Sequence, residues 1–343
     1  MKKLLNTIYI SSPGKYLTLE GETVVISENK TEFARCPLHN IESIVTMGYT
    51  GVSPALMGKC AEMGIIIYFL SRSGRFIANT TGAYNGNVIL RKNQYRISEN
   101  EEHCTDISKN IISAKIYNSR WVIERATRDY ANSLDVDKLK NASQQMKSEM
   151  NAITNCKNTE ELRGVEGKAA SSYFSVFDDL ILQQKDDFYF KGRNKRPPID
   201  KVNAMLSFSY TILNSMVTSA LYCVGLDPFV GFMHKDRPGR TSLSLDLMEE
   251  LRSVFADRFV LTMINKRIIN KNDFFVKENG AVYFTDDGKK KLLQSWQSKK
   301  QTVIVHPFLK EKVEWGMVPY VQALLFSRYL RGDLDGYPPF LWK

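Results

Sequence analysis

Over its first ninety or so residues the chain carries its apolar side chains in short, often β-branched runs separated by turn residues, a pattern of strands. Tyr16 to Leu19 and Thr23 to Ile26 flank Glu20-Gly21-Glu22, which reads as a hairpin, and Ile41 to Thr46 reads as another strand. Ser53-Pro54 opens a short helix, with Ser as cap and Pro in the first turn, and Gly64 ends it. Ile65 to Leu70 follows as a buried strand, and Ser71-Arg72-Ser73-Gly74 turns the chain into Arg75 to Asn79.

Residues 93–104 are polar and read as a linker. Beyond them the period changes. Thr105 is expected to cap a helix that Asp106 supports, with Ile112, Ile116, Ile123 and Tyr130 on its inner face. Val202 to Leu226 carries no charge and is long enough to span a bilayer. It is also rich in Ser, Thr and Asn, with Leu206, Tyr210, Leu213, Val217 and Leu221 forming one stripe, so a packed central helix is expected instead. Asp273 to Val276 and Ala281 to Phe284 bracket Asn279-Gly280, a hairpin signal, and Thr285 caps a further helix. The pattern predicts an α+β chain of two domains. A small β-sandwich-like domain (1–92) is joined by the linker (93–104) to a larger all-helical domain (105–343) with a short β-hairpin insertion.

Charge narrows the partner. Lys and Arg number 47 against 37 Asp and Glu, a formal excess of +10 carried by both parts, which suits a polyanion. Cys36, Cys60, Cys104, Cys156 and Cys223 form no Cys-x-x-Cys pair, which argues against a zinc ribbon or a disulfide framework and fits a reducing cytoplasm. The basic start is followed by no long apolar run, so neither a signal peptide nor a membrane partner is expected.

The candidate chemistry lies in two separated stretches. Glu166 is expected in the first turn of a helix through Tyr173, Phe177 and Leu180, flanked by Gly164 and Gly167, small neighbours that let an ion or phosphate approach the backbone. His234 precedes a charged turn marked by Pro238-Gly239. Asp246 and Glu249 then share one face of the following helix, away from its leucine stripe, with Glu250 beside them. Taken singly, the acids read as helix-end or solvated residues and His234 as a hydrogen-bonded core imidazole. Taken together, two carboxylates and an imidazole without cysteine suit Mn²⁺ or Mg²⁺ with positions left for water and phosphate oxygens. Arg237, Arg240 and Arg252 lie near in sequence as candidate phosphate contacts. Phe188 to Pro198 interleaves aromatics with Arg193, Lys195 and Arg196, as a nucleic-acid groove does, or packs its aromatics and leaves a solvated basic loop.

Three blocks carry a resemblance. Arg163-Gly-Val-Glu166-Gly-Lys-Ala-Ala-Ser-Ser-Tyr-Phe174 is similar to the glutamate motif of CRISPR-associated protein one, the spacer-acquisition integrase family. Arg193 through Tyr210 and Gly231 through Arg252 resemble its next two blocks, in the same order. The resemblance implies that Glu166, His234 and Glu249 bind the metal, with Asp246 as a catalytic support, and Glu249 stands where relatives often carry Asp. It implies homodimers joined largely through the β domains. Two such dimers would flank CRISPR-associated protein two in a heterohexamer holding a short DNA duplex, whose 3′ hydroxyl ends attack the CRISPR repeat by transesterification. Two alternatives stay open: a metal-dependent nuclease that only hydrolyses nucleic acid, and a non-catalytic basic DNA-binding scaffold. Tyr337-Pro338-Pro339-Phe340 reads as a partner contact or as ordinary packing.

Overall fold

A computed structural model describes residues 7–10, 14–41, 43–48, 50–71, 76–80 and 88–343. The first part holds strands β1 (Thr7–Ile10), β2 (Lys15–Glu20), β3 (Thr23–Glu28), β4 (Thr31–Pro37), β5 (Ser43–Met47) and β6 (Gly51–Val52). Helix α1 (Pro54–Glu62) follows, then β7 (Ile66–Leu70) and β8 (Phe76–Thr80). Ser53 caps α1 as expected, its side chain accepting from Leu56 N. The strands form two four-stranded sheets, ordered β4-β3-β2-β6 and β1-β5-β7-β8. The turn predicted over 71–74 lies mostly outside the described residues.

Side-chain alternation gives the second sheet two apolar faces. Ile44 and Ile67, paired across β5 and β7, point with Leu17, Val24, Ile26 and Leu56 into the space shared by both sheets and α1. This is the sandwich core. Their neighbours Val45, Met47, Ile66, Tyr68 and Leu70 belong instead to the core of the helical part. The Tyr68 hydroxyl lies 2.8 Å from Ser215 O and 2.5 Å from Ser219 Oγ, within the long helix that follows.

The helical part comprises α2 (Val88–Ser98), α3 (Glu101–Asp129), α4 (Val136–Ala152), α5 (Thr159–Ser175), α6 (Lys201–Cys223), α7 (Ser242–Leu251) and α8 (Arg258–Asn265). A hairpin of β9 (Phe274–Val276) and β10 (Val282–Phe284), helix α9 (Asp286–Lys300), a hairpin of β11 (Val303–Val305) and β12 (Lys312–Glu314), and α10 (Val318–Leu330) complete it. The second hairpin was not expected, because no Asn-Gly or other glycine turn marks residues 306–311 between its short strands.

Residues 93–104 are not a loop. They complete α2 and begin α3, broken only around Asn100, whose side chain accepts from His103 N and caps α3. Polarity misled here because Gln94 is fully buried with its amide satisfied, donating to Asp227 O and Val230 O and accepting from Asp227 N. Thr105 is therefore inside the helix, its hydroxyl donating to Glu101 O at 2.7 Å.

Helix α6 is buried almost all round, and its hydroxyls bond back to their own helix, as Thr211 does to Ser207 O and Thr218 to Asn214 O. Among the described residues no helix is long and apolar enough to cross a membrane. The β9–β10 hairpin forms as expected, although only Gly280 of its turn takes a positive φ, while Asn279 accepts from Ala281 N.

The tail is packed rather than presented. Tyr337 and Phe340 are buried, and Glu250 accepts from the Tyr337 hydroxyl at 2.7 Å and from Phe340 N at 2.8 Å. Asn118 of α3 donates to Glu250 O and Phe340 O and accepts from Trp342 N, so one amide fastens the tail to α7.

Candidate metal centre

Helix α5 starts earlier than the sequence suggested. Asn158 caps it by accepting from Glu160 N and Glu161 N, and these two acids fill its first turn. Glu166 consequently sits in the middle of the helix, where the end charge of the peptide dipoles no longer accounts for an acid. Added Cβ atoms on Gly164 and Gly167 would meet nothing within 4 Å, so this stretch of α5 faces open space.

Asp246, on α7, is fully buried and organises the loop before its own helix. Its Oδ2 accepts from Phe232 N at 2.6 Å and Met233 N at 3.1 Å. Its Oδ1 accepts from His234 N at 2.9 Å and lies 2.6 Å from His234 Nδ1. A carboxylate can only accept, so Nδ1 carries the ring hydrogen and the Nε2 lone pair is left as the imidazole's donor atom. This wrap requires Gly231: a Cβ there would lie 2.8 Å from Ser242 Cβ and 2.9 Å from Asp246 Oδ2. Arg163, one turn before Glu166, donates to Met233 O and ties α5 to the same loop.

Glu249 lies one turn beyond Asp246 and is also buried, against the solvated face its polarity suggested. Arg252 Nη1 meets its Oε1 at 2.5 Å, and Lys115 Nζ of α3 lies 2.7 Å from its Oε2. Burial pushes the Glu249 carboxyl up, but the charges of Arg252 and Lys115 outweigh it and bring the pKa down to about 2. Lys115 also pairs with Glu166 Oε1. The two acids, far apart along the chain, thus converge on a single ammonium. Glu249 Oε2 is buried, and the Lys115 ammonium is the partner that faces it.

Lys115 carried no motif, yet a signal existed. It falls four residues after Ile111 and four before Ser119, both buried, so the period of α3 turns this cation inward. Among the described residues no three His, Cys, Asp or Glu side chains are gathered as a ready cage for an ion, because Glu166 and Glu249 close on Lys115 instead. The donor chemistry nevertheless fits a hard divalent cation: two carboxylates already share one positive charge, and Asp246, one turn before Glu249, orients the His234 imidazole.

The surrounding cations divide into two kinds. Arg193 is held by Asn203 Oδ1 and Asn194 O, each at 2.6 Å, and lies over the Tyr210 ring. Arg252 stacks on the same ring, 4.4 Å from its centroid, and opens a π-helical segment, Arg252–Asp257, directly after α7. Tyr210 and Tyr173 both donate to Asp257, whose carboxyl burial pushes up to about 6. These two arginines are therefore internal struts. Lys195, Arg196 and Arg237 are exposed, and Arg240 is half-buried. Phe188 and Phe190 are buried, so only Tyr189 of that aromatic stretch faces solvent.

Two clefts meet here. One of about 590 Å³ is lined by Lys115, Glu166, Tyr173, Lys195 and Arg252. Another of about 710 Å³ shares Arg193, Lys195, Tyr210 and Arg252 with it, and all of its charged lining residues are basic.

Residues 8–298 match the sequence model of the family described as CRISPR associated protein Cas1. A curated relative, CRISPR-associated endonuclease Cas1 1 of Chlorobaculum tepidum, is 44% identical over 343 residues, covering 100% of both chains. Among solved structures, a casposase bound to its integration product superposes with a TM-score of 0.84 at 20% identity, over 98% of this chain and 94% of that one. A chain of a Cas6-RT-Cas1–Cas2 complex gives a TM-score of 0.83 at 20% identity, over 100% of this chain and 36% of that one.

Proposed function

The chain belongs to the Cas1 family of CRISPR-associated proteins, and from that premise we propose that it is a divalent-metal-dependent DNA endonuclease and integrase. It inserts short foreign duplexes into a CRISPR array through attack of their 3′ hydroxyl ends on repeat DNA. The observation that carries the reading is the convergence of Glu166 and Glu249 on one positive charge, with Asp246 holding the His234 imidazole through Nδ1.

Glu166, Glu249 and His234 would hold Mn²⁺ or Mg²⁺. When bound, the ion polarises the phosphodiester and favours deprotonation of the attacking hydroxyl. The chain's own residues do the rest. Asp246 fixes the ring of His234, and Arg252 keeps Glu249 ionised and in place. Lys195 and Arg196 attract the phosphate backbone toward the basic cleft, giving salt-dependent affinity with little base readout. Homodimers, and a larger assembly with Cas2 around the duplex, are the expected working form, which a Cas1–Cas2 complex of the same fold supports.

Strand transfer of a pre-processed duplex into a repeat-bearing plasmid, with Mn²⁺, tests this. Glu166→Ala is expected to abolish joined products while duplex affinity largely survives. Nicks without joining in the wild type point to a purely hydrolytic enzyme, and joining that persists in Glu166→Ala leaves only a scaffold.

A further inference from the structure

Lys115 is placed where a structural lysine has little reason to be. It stands on α3 among Ile111, Ile112, Ile116 and Ser119, all buried, and its side chain is 16% exposed. Its ammonium pairs with Glu166 and lies 2.7 Å from Glu249 Oε2. Glu249 has a second cation of its own, Arg252 on Oε1 at 2.5 Å. Glu166 pairs with no cation other than Lys115 among the described residues. Lys115 is thus the cation common to both acids, which come from α5 and α7, while Lys115 comes from α3.

We propose that Lys115 is a built-in counter-cation that holds Glu166 and Glu249 together before a divalent ion arrives and is displaced when it binds. The inference rests on the metal reading of these acids. Charge counting supports exchange rather than joint occupancy. Glu166, Glu249, Lys115 and Arg252 sum to zero as they stand. A divalent ion added beside Lys115 would leave an excess of two positive charges in a largely buried cluster, whereas replacing Lys115 leaves one. The cleft of about 590 Å³ that Lys115 lines together with Glu166 and Gly167 leaves room for the released side chain. Lys115 then acts as a positioning residue that sets the threshold of metal binding.

Mn²⁺ titration by calorimetry, together with thermal melting, on the full chain and Lys115→Met provides the test. The variant is expected to bind Mn²⁺ at least about tenfold more tightly, each tenfold being about 1.4 kcal/mol. Its metal-free melting temperature is expected to fall below wild type, and Mn²⁺ to raise it by more. A merely structural lysine would weaken binding or leave it unchanged, and either result overturns the proposal. Should Lys115→Met fail to fold, amine labelling of the wild type with peptide mapping serves instead. Mn²⁺ is expected to raise modification of Lys115 several-fold, and an unchanged rate overturns the proposal. If the wild type binds no Mn²⁺ at all, the metal reading itself falls and this inference with it. Wild-type binding that Lys115→Met does not tighten removes only the role given to Lys115.

Discussion

His234 Nδ1 lies 2.6 Å from Asp246 Oδ1, and the same oxygen accepts the His234 backbone N–H at 2.9 Å. One carboxylate therefore fixes both where the histidine stands and which ring nitrogen is available. Its two oxygens already take four donors, an arrangement that suits the supporting part proposed for Asp246.

Asp246→Asn keeps the shape but turns an amide N–H₂ toward donors. Mn²⁺ affinity is expected to fall about 10–100-fold, the range for partners that orient metal-binding histidines. Stability should drop by about 1–3 kcal/mol for each donor left unpaired. Calorimetric titration and urea melts measure the two effects, and unchanged Mn²⁺ affinity would contradict the assigned role.

Glu249 and Glu250 are neighbours with opposite dependence on pH. Burial and then the opposing cations leave Glu249 at about 2, below its ordinary 4.5, so its contribution to stability is present above 4.5 and lost as pH falls toward 2. Burial pushes Glu250 up to about 7, against hydrogen bonds from Tyr337, Phe340 and Gln322. Its contribution is full below 4.5 and is lost as pH rises through 7. Melting curves across this range should show the deficit of Glu249→Gln growing with pH up to about 4.5 and that of Glu250→Gln shrinking between about 4.5 and 7.

Asn118 links α3, α7 and the tail through one side chain. Asn118→Ala removes partners from Glu250 O, Phe340 O and Trp342 N, and is expected to cost about 2–4 kcal/mol on the scale of unpaired buried groups. Faster proteolysis around residues 337–342, with a lower urea midpoint, is the expected result.

Lys195→Ala and Arg196→Ala should weaken duplex binding without changing sequence preference. Each is expected to lower the slope of log affinity against log salt by about 0.9 if it meets one phosphate. Arg193→Ala is expected to act differently, through lower stability, because Asn203, Asn194 and Tyr210 hold its guanidinium.

Glu166, His234, Asp246 and Glu249 could be named as candidates because three blocks of sequence carry them in order. Their surroundings were not. That Glu249 is buried depends on Arg252 and Lys115 supplying its counter-charge, and Lys115 lies more than a hundred residues away on another helix. The start of α5 was misplaced by placing Glu166 in its first turn, although the Asn158 cap already precedes Glu160 and Glu161. The helices over 93–104 were hidden because Gln94 looks like a solvent residue until its three partners are known. The hairpins at Glu20-Gly21-Glu22 and Asn279-Gly280 were legible because turn chemistry is local.

Strand β7 serves two masters: Ile67 faces the sandwich, whereas Ile66, Tyr68 and Leu70 face the helices. Severing the chain near residue 92 would strip water-averse cover from one whole side of that sheet and take Ser215 and Ser219 away from the Tyr68 hydroxyl. A fragment ending there would aggregate or seek a substitute lid, and in the intact molecule heat should dismantle sandwich and helices in a single step.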